Sequence, residues 1–280
     1  MHDTLSHMAC VDLKQRAQRA SVLTALIGYR NGSAHMSSSL SCVEALTAAF
    51  DFKKNFPGTE IILSKGHASA AQYAAMSQTG FLEAKKLINF GKEESNFGIH
   101  LSQDKNIPLS TGSLGHGLSF GVGIGIGNSL NKLNNKTIIL IGDGESNEGS
   151  VWEAATVAGR LKLGNVILLV DHNQVQAAGT YKEISGNQDL MSKFESFGWL
   201  ANKISAHDPD KIYSELQINN TKPRVYILDS QENPTIELMQ NSVEWHYRNP
   251  VEADIIKMIN KLDAKKFALD ILELFNCEKL

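Results

Sequence analysis

Two polar side chains follow continuous apolar runs in the middle of the chain, where the parallel strands of a sheet would end. Asp143 follows the first run, between two glycines, and Asn173 follows the second run 30 positions later. A carboxylate and an amide oxygen are hard ligands suited to Mg²⁺, with Ca²⁺ or Mn²⁺ as alternatives. One strand–helix–strand unit spans that interval, so we expect both side chains at the same edge of adjacent strands.

The residues next to Asp143 add the features of a phosphate site. Gly142 and Gly144 allow the backbone to come close to a phosphate group. The helix expected to begin near Val151 points its positive N-terminal end toward the same region. An isolated Gly-Asp-Gly sequence is more often a simple turn after a strand, so the assignment depends on the rest of the chain.

The apolar runs predict an α/β fold with a parallel sheet. Runs that are apolar throughout and separated by helical segments are typical of strands covered on both faces. The expected strands are residues 60–64, 137–141, 165–170 and 224–228. The expected helices are residues 11–29, 40–50, 68–79, 115–133, 151–161 and a pair within 251–280. Gly32 should end the first helix, and Ser39 or Ser41 should cap the second. We expect residues 1–280 to form one domain.

The composition argues against several other classes of protein. The 280-residue chain is 42% hydrophobic, carries a net charge of −3 and has three cysteines that lie far apart. It therefore favours neither nucleic acid nor a membrane as a partner, and it predicts no disulfide framework. No signal peptide is apparent, and no uncharged apolar run reaches the roughly 18 residues of a membrane span. We expect a cytoplasmic protein.

A set of histidines lies in loops rich in glycine and serine. Histidine exchanges protons near neutral pH, which suits reactions that move protons on and off hydroxyl groups. Any one loop histidine alone is more often only exposed to solvent, so the recurrence of the pattern is the informative feature. The set comprises His35, His67, His100, His116 and His246.

Taken together, these segments resemble the transketolase family. A Gly-Asp-Gly sequence followed about thirty residues later by Asn resembles the thiamine diphosphate signature. The other similar segments, in chain order, are Ser33-Ala34-His35 with Leu40-Ser41, then residues 63–68, 97–100, 110–117, 148–149, 153–154, 161–165 and 243–246. Because so many segments match in order over nearly the whole chain, we interpret the chain as a member of this family.

The resemblance implies both a fold and a cofactor. The fold would be the three-layer, parallel-sheet fold of the pyrophosphate-binding domain of transketolases, with thiamine diphosphate held through Mg²⁺. In such enzymes the cofactor supplies the carbon–carbon bond chemistry, while the protein orients the substrates and moves protons. The implied reaction is the transfer of a two-carbon ketol unit between sugar phosphates or related substrates.

The resemblance also assigns roles to individual residues. The implied metal ligands are Asp143, Asn173 and the carbonyl oxygen of Val175. The implied cofactor contacts are His67, Gly112, Ser113, Leu114, Gly142, Gly144, Glu145, Asn173 and His246. The implied catalytic histidines, which would contact substrate hydroxyls or move protons, are His35, His100 and His246. For His116 the resemblance implies no more than support of its own loop.

A complete transketolase also has a pyrimidine-binding domain of similar size. The 280 residues leave no room for it, so we expect a separate C-terminal transketolase-like subunit that supplies this domain. Sites of this kind lie at subunit interfaces, which predicts a heterotetramer with two copies of each chain and no activity of this chain alone. Glu148 and Glu153 resemble positions near the subunit contact, or they are ordinary charges in the first turns of a helix.

Two departures from the family pattern affect the expected substrate more than the cofactor. Ser37 and Ser38 stand where the early loop usually has a glycine. After Asn173 the family usually has Asp-Gly, whereas this chain has Ala178-Gly179. In the early loop, a side chain thus occupies a place where the backbone often comes close to cofactor or substrate.

Other functions remain open at this stage. One is a different thiamine diphosphate reaction, resembling either deoxyxylulose-phosphate synthase or the 2-oxoacid dehydrogenases. The loops of His35, His67 and His246 argue against the second of these, because they suit polyhydroxylated donors. A non-catalytic scaffold of the same fold is another alternative. A nicotinamide-binding Rossmann protein is less favoured, because no Gly-x-Gly-x-x-Gly sequence joins a strand to a helix.

Overall fold

A parallel sheet forms the centre of the protein. The computed structural model describes residues 12–32, 35–176, 178–186, 188–230, 245 and 248–276. The strands are Glu60–Leu63 (β1), Thr137–Gly142 (β2), Val166–His172 (β3), Val175–Gln176 (β4), Gly179–Thr180 (β5), Leu200–Ser205 (β6) and Arg224–Asp229 (β7). Five of them form a wholly parallel sheet in the order β1-β2-β3-β7-β6, while β4 and β5 form a small antiparallel hairpin.

Helices cover both faces of this sheet. They are Leu13–Asn31 (α1), Met36–Leu40 (α2), Val43–Asn55 (α3), Ser69–Thr79 (α4), His116–Leu130 (α5), Gly149–Arg160 (α6), Tyr181–Ser185 (α7), Leu190–Ser196 (α8), Pro209–Gln217 (α9), Glu252–Lys261 (α10) and Lys265–Leu274 (α11). One apolar core joins the sheet to α1, α3, α4, α9, α10 and α11. A second core joins the opposite face to α5, α6 and α8.

The central strands supply both cores by simple alternation. In β2, Ile138 and Leu140 lie in the first core, whereas Ile139 and Ile141 lie in the second. Successive side chains of a strand point to opposite faces, so a strand buried on both faces must be apolar at every position. The predicted α/β fold with a covered parallel sheet is confirmed.

Local signals explain where the first helix begins and ends. The Asp12 carboxylate accepts a hydrogen bond from the Gln15 N–H at 2.7 Å and thereby caps α1. Gly32 follows the helix with φ of 62°, a left-handed conformation that glycine adopts at little cost. The predicted end of this helix is confirmed.

The predicted second helix is wrong in its start and its cap. The segment divides into α2 and α3, and neither Ser39 nor Ser41 is an N-cap, because Ser41 is the C-cap of α2 and Cys42 occupies the N-cap position of α3 without a side-chain bond. The Ser41 hydroxyl instead donates a hydrogen bond to Asp171. Strand β6 was also not predicted, because this edge strand is mostly half-buried or exposed and so lacks an apolar run.

Two helices follow near the end of the chain, as predicted for residues 251–280. Apolar residues of α10 and α11, including Ile255, Met258 and Ile271, pack into the first core. That residues 1–280 form a single domain stays a prediction. Among the described residues, none of the helices combines the length and the apolar character that crossing a membrane requires.

Candidate active site

The ends of β2 and β3 bring the predicted metal ligands together. Gly142 pairs with Asp171 in the sheet, which places Asp143 directly beside the chain leaving β3. The Asp143 carboxylate accepts a hydrogen bond from the Gln174 N–H at 2.8 Å, and Gln174 has φ of 59°. This turn carries Asn173 on one side and Val175 on the other. The expected meeting of the two strand ends is confirmed, while the role of these residues as ligands stays a prediction.

The turn after β3 is held by its own side chains. The Asn173 amide oxygen accepts a hydrogen bond from the Val175 N–H at 2.9 Å. The Tyr181 N–H donates to the Gln174 carbonyl at 2.9 Å and so ties the turn to the start of α7. His172 places its Nδ1 atom 3.2 Å from the Asp143 carboxylate. A carboxylate, an amide and a backbone carbonyl therefore lie on neighbouring strand ends, and oxygen atoms of these kinds are the donors that Mg²⁺ prefers.

Gly144 makes a different contact from the one the sequence suggests. Its N–H donates to the Asp143 carboxylate at 2.6 Å, so this donor is used within the loop. A Cβ atom at Gly144 would lie 3.1 Å from the Gln176 side chain, which is tighter than almost all real contacts. A side chain at this position would thus crowd the turn unless the Gln176 side chain shifted. The contact of Gly144 with a diphosphate stays a prediction.

The glycine loop at residues 110–117 fits tightly between two other loops of the site. A Cβ atom at Gly66 would collide with the Thr111 hydroxyl, and one at Gly117 would collide with the Ser64 side chain. Gly115 has φ of 87°, and a Cβ atom there would collide with Glu148. Glycine is therefore required where this loop crosses the end of β1 and the start of α6.

Glu145 is the buried link between these loops. Its carboxylate accepts hydrogen bonds from the Ser64 hydroxyl, from the Gly115 N–H at 2.7 Å and from the Gly142 N–H at 3.4 Å. Burial raises the pKa of Glu145 above its ordinary value, although these donors act in the opposite direction. The sequence suggests a contact between Glu145 and the cofactor, whereas the structure directs this carboxylate at neighbouring loops.

Three of the predicted histidines lie at the same edge of the sheet. The rings of His35 and His67 meet edge to face with centroids 5.2 Å apart, which brings the early loop against the turn after β1. A Cβ atom at Gly112 would lie 3.5 Å from the His100 ring, so His100 borders the glycine loop. His116 begins α5 and is exposed. His246 lies outside the described residues.

A buried charge cluster at this edge was missed by the sequence analysis. Lys65 and Asp171 are almost completely buried, and the Lys65 Nζ atom lies 2.5 Å from the Asp171 carboxylate. Both residues directly follow or end apolar strands. A charged residue directly after an apolar strand was the signal available in the sequence. Such a residue is expected to be buried, and buried charges are paired, so two of them at the same sheet edge predict an ion pair.

The comparisons with known proteins agree with this site. Residues 53–236 match the family described as transketolase, thiamine diphosphate binding domain. A component of the apulose-4-phosphate transketolase from Phocaeicola vulgatus is 30% identical over 80% of this chain and 84% of its own length. The corresponding component from Actinobacillus succinogenes is 33% identical over 77% of this chain and 83% of its own length. The chain belongs to the transketolase family, of which it contains the thiamine diphosphate binding domain.

Solved structures support the same fold. A transketolase from Campylobacter jejuni superimposes with a TM-score of 0.73 at 20% identity, covering 94% of this chain and 48% of its own. The chain thus spans about half the length of this transketolase. The predicted family, fold class and transketolase type of the protein are confirmed by these comparisons.

Proposed function

We propose that this chain is the cofactor-binding subunit of a two-component transketolase, active only with a second polypeptide. The whole enzyme would transfer a two-carbon ketol unit between sugar phosphates or related substrates. Two relatives that this chain covers for most of their length are named as subunits of apulose-4-phosphate transketolases. A third relative is named as a subunit of a 6-deoxy-6-sulfo-D-fructose transketolase.

One structural observation supports the proposal most directly. The Asp143 carboxylate accepts a hydrogen bond from the Gln174 N–H, and this bond holds Asp143 beside the turn at residues 173–175. Mg²⁺ would be held there by Asp143, Asn173 and the Val175 carbonyl, with Ca²⁺ or Mn²⁺ as substitutes. The diphosphate would complete the metal shell, close to Gly144 and to the N-terminal end of α6. When bound, thiamine diphosphate would supply the carbon–carbon bond chemistry, and the chain would supply orientation and proton movement.

The histidines at the carboxyl edge would serve different ends of the bound substrate and cofactor. His67, in the turn after β1, would donate a hydrogen bond to the diphosphate. His35 and His100 would contact hydroxyl groups of the donor sugar, where imidazole can accept or return a proton near neutral pH. We propose the same proton-moving role for His246.

The outward face of α5 supports the proposal of a partner subunit. Cβ atoms at Gly123 and Gly127 would meet nothing within 4 Å among the described residues. Phe120 and Leu130 on this face are exposed for 39% and 79% of their surface. Glycine destabilises a helix by about 1 kcal/mol relative to alanine, so exposed glycines here suit the close approach of another chain. The assembly of two copies of each chain is proposed on the same ground.

The metal site is tested by removing its side-chain ligands. Asp143→Ala and Asn173→Ala should each abolish Mg²⁺-dependent binding of thiamine diphosphate, measured by titration calorimetry with the partner subunit present. Asp270→Ala, which removes an exposed carboxylate on α11, is the control and should bind like the unmodified chain. Unchanged binding by both site variants would overturn the assignment.

A further inference from the structure

Asp171 forms the centre of a buried polar cluster at the carboxyl edge of the sheet. Its side chain is 0% exposed and makes three short contacts. Lys65 Nζ lies at 2.5 Å, the Ser41 hydroxyl at 2.6 Å and the Ser230 hydroxyl at 2.5 Å. The three donors come from parts of the chain that are far apart in sequence, so the cluster is assembled only by the fold.

Two of the donors to Asp171 lie in loops of the proposed cofactor site. Lys65 lies two residues before His67, in the turn after β1. Ser41 lies in the turn between α2 and α3, directly after the helix that begins beside His35. Asp171 itself lies two residues before Asn173.

Ser230 joins the end of β7, the strand next to β3, to the cluster. It directly follows β7, and β7 pairs with β3 as far as Asp229 opposite His172. One carboxylate, on the strand that leads into the proposed metal turn, therefore contacts the turn that follows the early histidine loop, the second histidine loop and the end of β7.

The energetics of the cluster favour a positioning role over simple stabilisation. Desolvating a lysine and an aspartate offsets most of their attraction, and well-packed apolar residues would stabilise a core equally well. Burial acts to raise the pKa of Asp171, but Lys65 and the hydroxyl donors hold it below its usual range. Burial acts to lower the pKa of Lys65, but Asp171 holds it above its usual range.

We infer that Asp171, held by Lys65, Ser41 and Ser230, is a positioning residue that fixes the histidine loops relative to the metal turn. The carboxylate does not touch the cofactor; it sets the geometry of the groups that do. A directional ion pair with two hydroxyl donors allows one arrangement of these loops, whereas an apolar contact would allow several. The inference rests on the cofactor site proposed above.

Serine-to-alanine variants test the inference with little disturbance of the fold. Ser41→Ala and Ser230→Ala each remove one hydrogen bond to Asp171 and leave the ion pair intact. Ser21→Ala is the matched control, because Ser21 is equally buried but donates within its own helix to the Ala17 carbonyl. Ser41→Thr keeps the hydroxyl and serves as a rescue variant.

The first measurement is the affinity of the complex with its partner chain for thiamine diphosphate and Mg²⁺. We expect Ser41→Ala and Ser230→Ala to weaken binding by about tenfold each, an effect on the order of one charge-assisted hydrogen bond. Ser21→Ala should bind normally even though it is destabilised to a similar degree, and Ser41→Thr should restore most of the affinity. Equal weakening in the Ser21 control would overturn the inference.

The second measurement needs no cofactor and separates this inference from the proposed function. Amide hydrogen exchange of the full chain should show that Ser230→Ala increases exchange in residues 65–68 and 171–176 as well as next to residue 230. Increased exchange confined to residue 230 and its neighbours would refute the coupling of the loops. If the unmodified complex binds no thiamine diphosphate while the exchange pattern is coupled, the proposed function fails and the cluster stands.

Discussion

The two ends of the parallel sheet both bury charged residues, but they use them differently. At the carboxyl edge, Lys65 and Asp171 pair with each other across loops that are distant in sequence. At the amino edge, Lys136 and Arg224 contact backbone carbonyls where α9 ends. Lys65 thus pairs with a side chain at the carboxyl edge, whereas Lys136 and Arg224 bind backbone carbonyls at the amino edge, where Arg224 also donates to the Tyr226 hydroxyl.

The amino edge is built as the cap of one helix. Lys136 Nζ donates to the Leu216 carbonyl at 2.6 Å and to the Ile218 carbonyl at 3.0 Å. The Arg224 guanidinium donates to the carbonyls of Glu215 and Ile218 at 2.7 Å each. The last carbonyls of a helix lack partners and carry a partial negative charge, so cations there satisfy both needs.

The difference between the edges shows how a fold separates stability from function. At the amino edge, the cations tie the end of α9 to the starts of β2 and β7. A carboxylate shared by several loops fixes those loops relative to one another, and the proposed ligands and histidines lie on the same loops. The carboxyl edge can therefore support a cofactor site, whereas the amino edge serves the fold.

Removal of one charge at each edge should give the largest difference between the edges, measured as the loss in the free energy of unfolding. Lys65→Met leaves the Asp171 carboxylate buried without its counter-ion and should lower the free energy of unfolding by about 3–5 kcal/mol. Lys136→Met removes two hydrogen bonds to backbone carbonyls but leaves no buried charge behind, so it should cost only about 1.5 kcal/mol. Denaturation by urea measures both values, and equal losses would contradict the contrast.

The double variant Lys65→Met with Asp171→Leu sharpens this test. Replacement of a whole buried ion pair by apolar residues is often neutral, so much of the lost stability should return. Binding of thiamine diphosphate should not return, because the loops would have lost their common contact. Recovery of both properties would show that the pair acts only through stability.

The sequence predicted the sheet well because its signal is local. Runs such as residues 137–141 and 166–170 are apolar at nearly every position, and a strand covered on both faces requires that pattern. The edge strand β6 could not be found in this way, since an exposed edge places no such demand on its residues. The division between α2 and α3 was also missed, because both segments are equally buried.

Part of the site was predicted because its signal is also local. Asp143 and Asn173 follow apolar strands, and parallel topology alone brings such ends together. The hydroxyls of Ser41 and Ser230 carry no local signal, because their importance comes from Asp171, which lies 130 and 59 positions away. Contacts of this length depend on the complete fold and cannot be deduced from residue type and spacing.

Substitution of a histidine should give an intermediate effect that also distinguishes the edges. His67→Ala should weaken thiamine diphosphate binding in the reconstituted complex by about 1.5–3 kcal/mol, as expected for a lost hydrogen bond to a charged group. Lys136→Met, at the amino edge, should leave this affinity unchanged. Calorimetric titration measures both, and a normal affinity of the His67 variant would remove this residue from the diphosphate site.

The smallest expected effect is a pH dependence confined to the carboxyl edge. His207 Nδ1 lies 3.4 Å from the Glu44 carboxylate, and the backbone carbonyl of Ser230 and the charge of Asp171 face the same ring. Burial lowers the pKa of His207, but these acceptors outweigh it and raise the pKa above the ordinary value of 6.5.

A raised pKa in the folded state means that protonated His207 stabilises the fold at low pH. This contribution is complete below about pH 6.5 and is lost as the pH rises through the folded pKa. His207→Asn should therefore cost more stability at pH 6 than at pH 9, by up to about 1 kcal/mol. Glu44→Gln should weaken the same pH dependence, because the Ser230 carbonyl and Asp171 still act on the ring, whereas substitution of the exposed His116 by Asn should leave it unchanged. An equal cost of His207→Asn at both pH values would show that the ring acts by packing alone, and that charge at this edge is confined to the contacts of Asp171.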